Sequence, residues 1–118
     1  MTGEIGVVYL ICFRRRYKHA GHYIGWTNSL LRRLRTHARG NPCGKAARLM
    51  VVIHEAGIEW DLVCAWEGTR DDERRLKNRH GANKFCPRCN TNPQRVSLTR
   101  VDEREIERAQ TALAKAAA

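Results

Sequence analysis

The stretch that most constrains this chain is Gly3 to Phe13, GEIGVVYLICF. It is nearly continuous in β-branched, aromatic and aliphatic residues, and a strand without a polar face has to be covered on both sides. Ile5, Val7, Tyr9, Ile11 and Phe13 fall on one face, with Val8, Leu10 and Cys12 on the other. The run therefore reads as the central strand of a sheet with material above and below it. Tyr9 is the only polar-tipped residue between Gly6 and Cys12. Taken alone it is either a core tyrosine with a local hydrogen-bond partner or a group with a task.

The rest of the chain can be arranged around that strand. Arg14 to Gly21 (RRRYKHAG) carries four cations in eight residues and ends in glycine. It reads as a hairpin loop, and its cations suit a nucleic-acid backbone as well as a solvated turn. His22 to Trp26 follows as a second, antiparallel strand, which brings Tyr23 close to Tyr9. A basic helix comes next, with Asn28 as its expected N-cap and Leu30, Leu31 and Leu34 along one face. Arg33 and His37 are four apart and so neighbours on that helix.

Gly40-Asn-Pro-Cys-Gly44 breaks the pattern. Ala46 to Glu55 reads as a second helix stopped by Gly57, although Met50 to Ile53 also suits a strand. In Trp60 to Trp66, the third strand, Trp60, Leu62, Cys64 and Trp66 alternate against Asp61, Val63 and Ala65. Thr69-x-x-Asp72 resembles a capping box, with acids in the first turn and Arg74, Arg75, Lys77 and Arg79 beyond it. His80-Gly-Ala closes that helix, and Lys84 to Asn90 is rich in turn residues. Asp102 to Ala117 is a last helix whose apolar stripe (Ile106, Ala109, Leu113, Ala116) is thin, so it should pack at the domain edge. The prediction is an α/β (α+β) domain, with a three-stranded antiparallel sheet flanked by helices. Residues 1–92 form its core, and 93–118 form an extension whose helix packs on the same domain.

Charge narrows the partners. Of the 118 residues, those from Ile5 to His54 hold ten Lys/Arg and no Asp or Glu, while the remainder has twelve of each sign. The whole +10 excess thus sits in one half as a one-signed field, which points to a polyanion. Arg14, Arg15, Arg16, Lys18, Arg32, Arg35 and Arg39 are the candidate phosphate contacts. No apolar run approaches the ~20 residues of a membrane span, and the N-terminus lacks the layout of a signal peptide. A cytoplasmic protein without a membrane partner is expected. Its five cysteines, odd in number and unevenly spaced, read as mostly free thiols.

Val7-Val-Tyr9, Tyr23-Ile-Gly25, Arg33, Glu73 and Asn90, in that order, resemble the GIY-YIG nuclease superfamily over about residues 5–90. YIG matches literally. His37 stands four past the arginine, where many members have histidine, and Cys86-Pro-Arg-Cys89-Asn90 is similar to the segment that delivers the family's asparagine. The chain departs in three places: Val-Val-Tyr lacks the Gly-Ile prefix, residues 14–21 lengthen the link between the tyrosines, and Trp26 replaces a lysine of some members. The resemblance implies a metal-dependent endonuclease acting on DNA, with RNA not excluded. It implies Glu73 as the ligand of Mg²⁺ or Mn²⁺, Arg33 on the phosphate, and Tyr9 as general base with Tyr23 on the water or phosphate. His37 would be a phosphate contact or proton relay, and Asn90 a polar anchor.

Physical chemistry is consistent with those roles. A hard Lewis acid holds the phosphate and helps the leaving oxygen, and Mg²⁺ commonly takes only one or two protein carboxylates. Arginine forks two N–H bonds onto phosphate oxygens, which lysine does not reproduce. A tyrosine base needs nearby cations, because its ordinary pKa is near 10. Judged singly, Glu73 reads first as the i,i+4 partner of Lys77, ahead of a metal ligand, and His37 reads equally as a solvated helix histidine. The competing function is a nucleic-acid-binding module that uses the basic surface of residues 5–54 without cutting. Cys86-x-x-Cys89 is half a zinc site that would need Cys43, His80 or another distant ligand to close it, so structural Zn²⁺ is the lesser reading. With no reading module appended, target choice is expected to be weak, shape-directed or supplied by a protein partner.

Overall fold

The structure, a computed structural model, describes residues 3–40, 48–79 and 81–117. Strands β1 (Gly6–Tyr17), β2 (Ala20–Thr27) and β3 (Trp60–Gly68) form one antiparallel sheet in the order β2-β1-β3. The apolar run is therefore the central strand, as its sequence demands. Helices α1 (Leu30–Ala38) and α2 (Arg48–Glu55) lie between β2 and β3 in the chain, followed by α3 (Arg70–Asn78) and α4 (Glu103–Ala117). The fold is the expected α+β arrangement.

The two faces of β1 serve two interiors. Tyr9, Ile11 and Phe13 pack with Leu34 of α1, Met50 and Ile53 of α2, and Ile106 and Ala109 of α4. Val8, Leu10 and Cys12 pack with Leu76 of α3 and with Phe85 and Cys86 beyond it. Residues 99–101 run along the free edge of β3, where Val101 N–H donates to Ala65 O and Glu67 N–H to Thr99 O. The C-terminal segment is thus tied to the sheet by backbone bonds, and Ile106 and Ala109 are core residues rather than an edge stripe. The side chain of Ala116 lies outside the described residues.

Four local expectations change. Arg14 to Tyr17 continue β1, so the hairpin tip is only Lys18-His19, with Lys18 at φ 54. This part of the ribbon is exposed at Arg14, Arg15 and Arg16, so no apolar alternation marks it as strand. Ser29, not Asn28, is the N-cap of α1 and its side chain makes no capping bond; the Asn28 amide reaches Glu4 instead. The alternation in β3 breaks at Val63: Leu10 pairs with Cys64 but Ile11 pairs with Leu62, leaving Val63 as the extra residue of a bulge. Leu62 and Ala65 consequently face one interior, and Cys64 and Trp66 the other. Arg14 is engaged by Asp61 and Glu59, and Arg15 donates to Ala56 O, so these two cations are partly spoken for within the fold.

Two helix boundaries follow from local chemistry as expected. The capping box of α3 is complete, with Asp72 N–H donating to the Thr69 hydroxyl at 3.3 Å and Thr69 N–H donating to Asp72 Oδ2 at 2.8 Å. Gly57, at φ 68, ends α2 in the left-handed conformation that glycine adopts without a Cβ penalty. Of the breaker Gly40-Asn-Pro-Cys-Gly44, the part from residue 41 lies outside the described residues, as do Ala46 at the start of the expected second helix, Cys43 and His80.

Candidate active site

Register brings the phenols together. Tyr9 sits opposite Gly25 and Ile11 opposite Tyr23, which makes Tyr9 and Tyr23 diagonal neighbours on one face, with ring centroids 6.1 Å apart. Helix α1 packs on that face through Leu34 and places the His37 ring 5.9 Å from Tyr9 and 5.3 Å from Tyr23. Gly25 is what lets the rings close in. A Cβ there would overlap Tyr9 Cζ and Oη and come within 2.8 Å of Tyr23 Cε2.

Tyr9 is fully buried and its hydroxyl lies 2.7 Å from His37 Nε2. Burial and the Arg33 charge set the protonation states. Tyr9 is pushed well above the ordinary tyrosine value, first by desolvation and then by Tyr23, against the opposing pull of Arg33. Tyr23 is also raised by burial, again with Arg33 opposing. His37 is lowered to about 4 by burial and then by Arg33. The resting site therefore holds two protonated phenols and a neutral imidazole. A neutral imidazole with Nε2 2.7 Å from the hydroxyl accepts there, so we assign the phenolic proton to the Tyr9–His37 bond, with Tyr9 donating to Nε2.

A measurable pH dependence follows. His37 binds a proton near pH 6.5 when unfolded and near 4 when folded, so the unfolded chain takes up more protons in that interval. Its contribution to stability is complete above the unfolded value and is lost as pH falls toward the folded one. Denaturant titrations should show the parent losing roughly 2 kcal/mol more than His37→Gln between about pH 7 and pH 5. Equal slopes in the two proteins would show that this imidazole is not held neutral.

Beside these rings, at the β2 edge of the sheet, lies a cavity of about 360 Å³. Tyr23, Trp26 and Thr27 of β2, Arg32, Arg33 and Thr36 of α1, Arg70 and Glu73 of α3, and Glu4 and Asn28 line it. Helices from opposite faces of the sheet thus meet one opening across the edge strand. The Tyr23 hydroxyl is buried there without a close hydrogen bond. Glu73 is mostly buried and paired with Lys77 at 3.4 Å, while the Lys77 ammonium sits 5.7 Å from the centroid of the Tyr23 ring. Trp26 donates its indole N–H to Gly68 O and stacks under Arg70 at 4.7 Å. The tryptophan standing where some members of the resembled family have lysine is therefore a support for an arginine.

Of the expected site residues, Tyr23, Arg33 and Glu73 line the cavity, and Tyr9 and His37 form the layer behind it. Asn90 is not brought there. Its side-chain oxygen accepts from Asn92 N–H in a local turn, and its neighbours Cys86 and Cys89 lie against Cys12, on the other face of β1. Glu4 and Arg70 are cavity residues that the sequence did not single out; Glu4 is an isolated charge, and Arg70 is an unremarked position inside the capping box and its charged run. Sequence reading also missed a second constellation. Sγ of Cys12, Cys86 and Cys89 and a ring nitrogen of His22 all lie within 4.8 Å of one another, a group able to hold a metal ion. The partners of the Cys86-x-x-Cys89 pair are thus Cys12 and His22. Among the described residues no helix is long and apolar enough to cross a membrane. Set against protein-family models, curated proteins and solved structures, the chain matches none of them.

Proposed function

We propose that this chain is a metal-dependent endonuclease of the GIY-YIG type that hydrolyses DNA phosphodiester bonds. The observation that carries the reading is the convergence of Tyr23, Arg33 and Glu73, from β2, α1 and α3, on one cavity backed by the Tyr9–His37 pair. Glu73 and Glu4 are oxygen donors of the kind Mg²⁺ or Mn²⁺ takes, and the Lys77 ammonium beside Glu73 marks that carboxylate as a seat for positive charge. Glu73 would hold the ion, which supplies Lewis-acid stabilisation to the phosphate and leaving oxygen.

The protein's own groups divide the remaining work. Arg33 forks onto the scissile phosphate, and Arg32 and Arg70 hold the flanking backbone. The Tyr23 hydroxyl, lacking a close partner, orients the attacking water. Tyr9, which does not reach the cavity, acts behind it. Closing of the Tyr23 hydroxyl onto the Tyr9 oxygen when substrate binds, a bond the free protein does not make, would let the water's proton enter at Tyr23 while Tyr23 gives its own to Tyr9 and Tyr9 gives its own to His37 Nε2. Arg33 disfavours charge on His37 in the free protein, and a phosphate drawn onto that guanidinium removes part of the penalty. This allocation gives Tyr23 the contact that the family resemblance was expected to give Tyr9, because only Tyr23 lines the cavity.

The test is nicking of supercoiled plasmid. Conversion to open circles with Mg²⁺ or Mn²⁺, and none in excess chelator, is the expected result. Duplex binding without any nicking, under either metal, would leave a non-cleaving nucleic-acid module as the function.

A further inference from the structure

We propose that Cys12, His22, Cys86 and Cys89 bind one Zn²⁺, which fastens the segment after α3 to the sheet. Cys12 and Cys86 belong to the interior on the other face of β1 from Tyr9 and Tyr23, and the site stands independently of the nuclease reading. Cys12 and His22 are directly paired across β1 and β2, so the ribbon presents a thiol and an imidazole side by side. Cys86 and Cys89 approach from the turn Cys86-Pro-Arg-Cys89, closed by Asn90 N–H donating to Cys86 O at 3.0 Å. Cys89 Sγ lies 3.7 Å from Cys12 Sγ and 3.4 Å from His22 Nε2.

Those separations are those of ligands around a common centre. Zn–S bonds of about 2.3 Å and Zn–N bonds of about 2.0 Å at tetrahedral angles place sulfurs ~3.8 Å apart and sulfur and nitrogen ~3.5 Å apart. The donor set decides the metal: three sulfurs and one imidazole, with no carboxylate, suit zinc and not magnesium. Packing alone does not account for the group, since Cys89 is exposed and His22 only half-buried. Charge is also matched. Three thiolates and one imidazole around Zn²⁺ leave a net single negative charge, and the Arg88 guanidinium is held beside it by Asp61 and by the Cys12 carbonyl at 2.9 Å.

A mechanical need for such a tie is visible in the chain. From Gly81 to Thr99 the described backbone holds one short 3-10 turn, Ala82–Lys84, and no strand or α-helix. Phe85 and Cys86 are the buried side chains of that stretch, a small apolar anchor for so long a connection. A metal joining it to both strands of the ribbon would supply the missing cross-link.

Metal analysis of the full chain, expressed with zinc and purified reduced, should give about one zinc per chain. Cobalt exchange should produce thiolate-to-metal charge-transfer absorption and the intense visible bands of tetrahedral Co²⁺. Cys89→Ser, at an exposed position, should lose zinc to a competing chelator roughly tenfold more readily or worse. Cys64→Ala, a buried thiol outside the cluster, should retain it as the parent does. Zinc-free protein from zinc-rich medium, a Cys12–Cys89 disulfide in the purified chain, or Cys89→Ser holding zinc as firmly as the parent would each overturn the assignment. Plasmid nicking has no bearing on these outcomes, so the two readings fail separately.

Discussion

Glu73→Gln should abolish plasmid nicking, lowering its rate by about 10³-fold or more, while leaving duplex binding intact. The substitution keeps the shape of the side chain and removes only the charge that holds the divalent ion, and Lewis-acid stabilisation of a phosphoryl transition state is worth several kcal/mol. The structural cost is small. Glu73 loses its i,i+4 contact with Lys77, an interaction of about 0.3–0.5 kcal/mol, so the variant should unfold within a degree or two of the parent. Removing a carboxylate from a cavity lined by Arg32, Arg33 and Arg70 should if anything tighten the hold on DNA. Rates, melting temperature and binding isotherms measured on the same preparations separate loss of chemistry from loss of fold. Nicking by the variant at the parental rate would show that Glu73 does not serve the reaction.

Gly25→Ala is the larger perturbation of structure. The backbone at Gly25 lies in an ordinary strand, so the cost does not come from its conformation but from the added methyl, which would occupy the place of the Tyr9 ring edge. Tyr9 is fully buried and cannot swing away without breaking its bond to His37. Overpacking of this kind costs about 1–3 kcal/mol, which corresponds to a fall in melting temperature of roughly 10 °C at the upper end. Nicking should fall further than stability suggests, because a shift of about 1 Å in a positioned group can cost ~100-fold. A double-mutant cycle with Tyr9→Leu isolates the cause, since the methyl should be tolerated better once the phenol is gone. The same penalty in both backgrounds would place the clash elsewhere.

The sequence made much of this scaffold readable, and for identifiable reasons. An apolar run on both faces can only be a central strand, and the spacing of Tyr9 and Tyr23 put them together once the two strands paired. Thr69 with Asp72, and Gly57, are local chemistry and needed no tertiary information. What escaped depends on register. Arg14 to Tyr17 extend as strand without any buried face to announce it, so the hairpin looked like a loop. The pairing of Cys12 with His22 could not be counted back from the turn, because the ribbon slips between Cys12 and Tyr17. A CxxC was visible as half a site while its other half lay across an irregular hairpin. Asn90 followed a short motif into the cavity on paper, whereas the turn that contains it is docked on the opposite side of β1.

The surplus residue at Val63 has a consequence beyond the local bend. Up to Leu62 the strand keeps one phase, and from Cys64 onward it keeps the other. Were the alternation unbroken, Leu62 would join Cys64 and Trp66, and the acid at 61 would turn inward toward α1 and α4. The half-step instead delivers the Asp61 carboxylate to Arg14 and Arg88, which holds it below the usual range. That carboxylate on β3, together with the Cys12 carbonyl on β1, moors Arg88 and with it the loop between the cysteines to the sheet. The extra valine thus lets one strand give both Leu62 and Ala65 to the same oily layer while its start presents an acid to an ionic fastening.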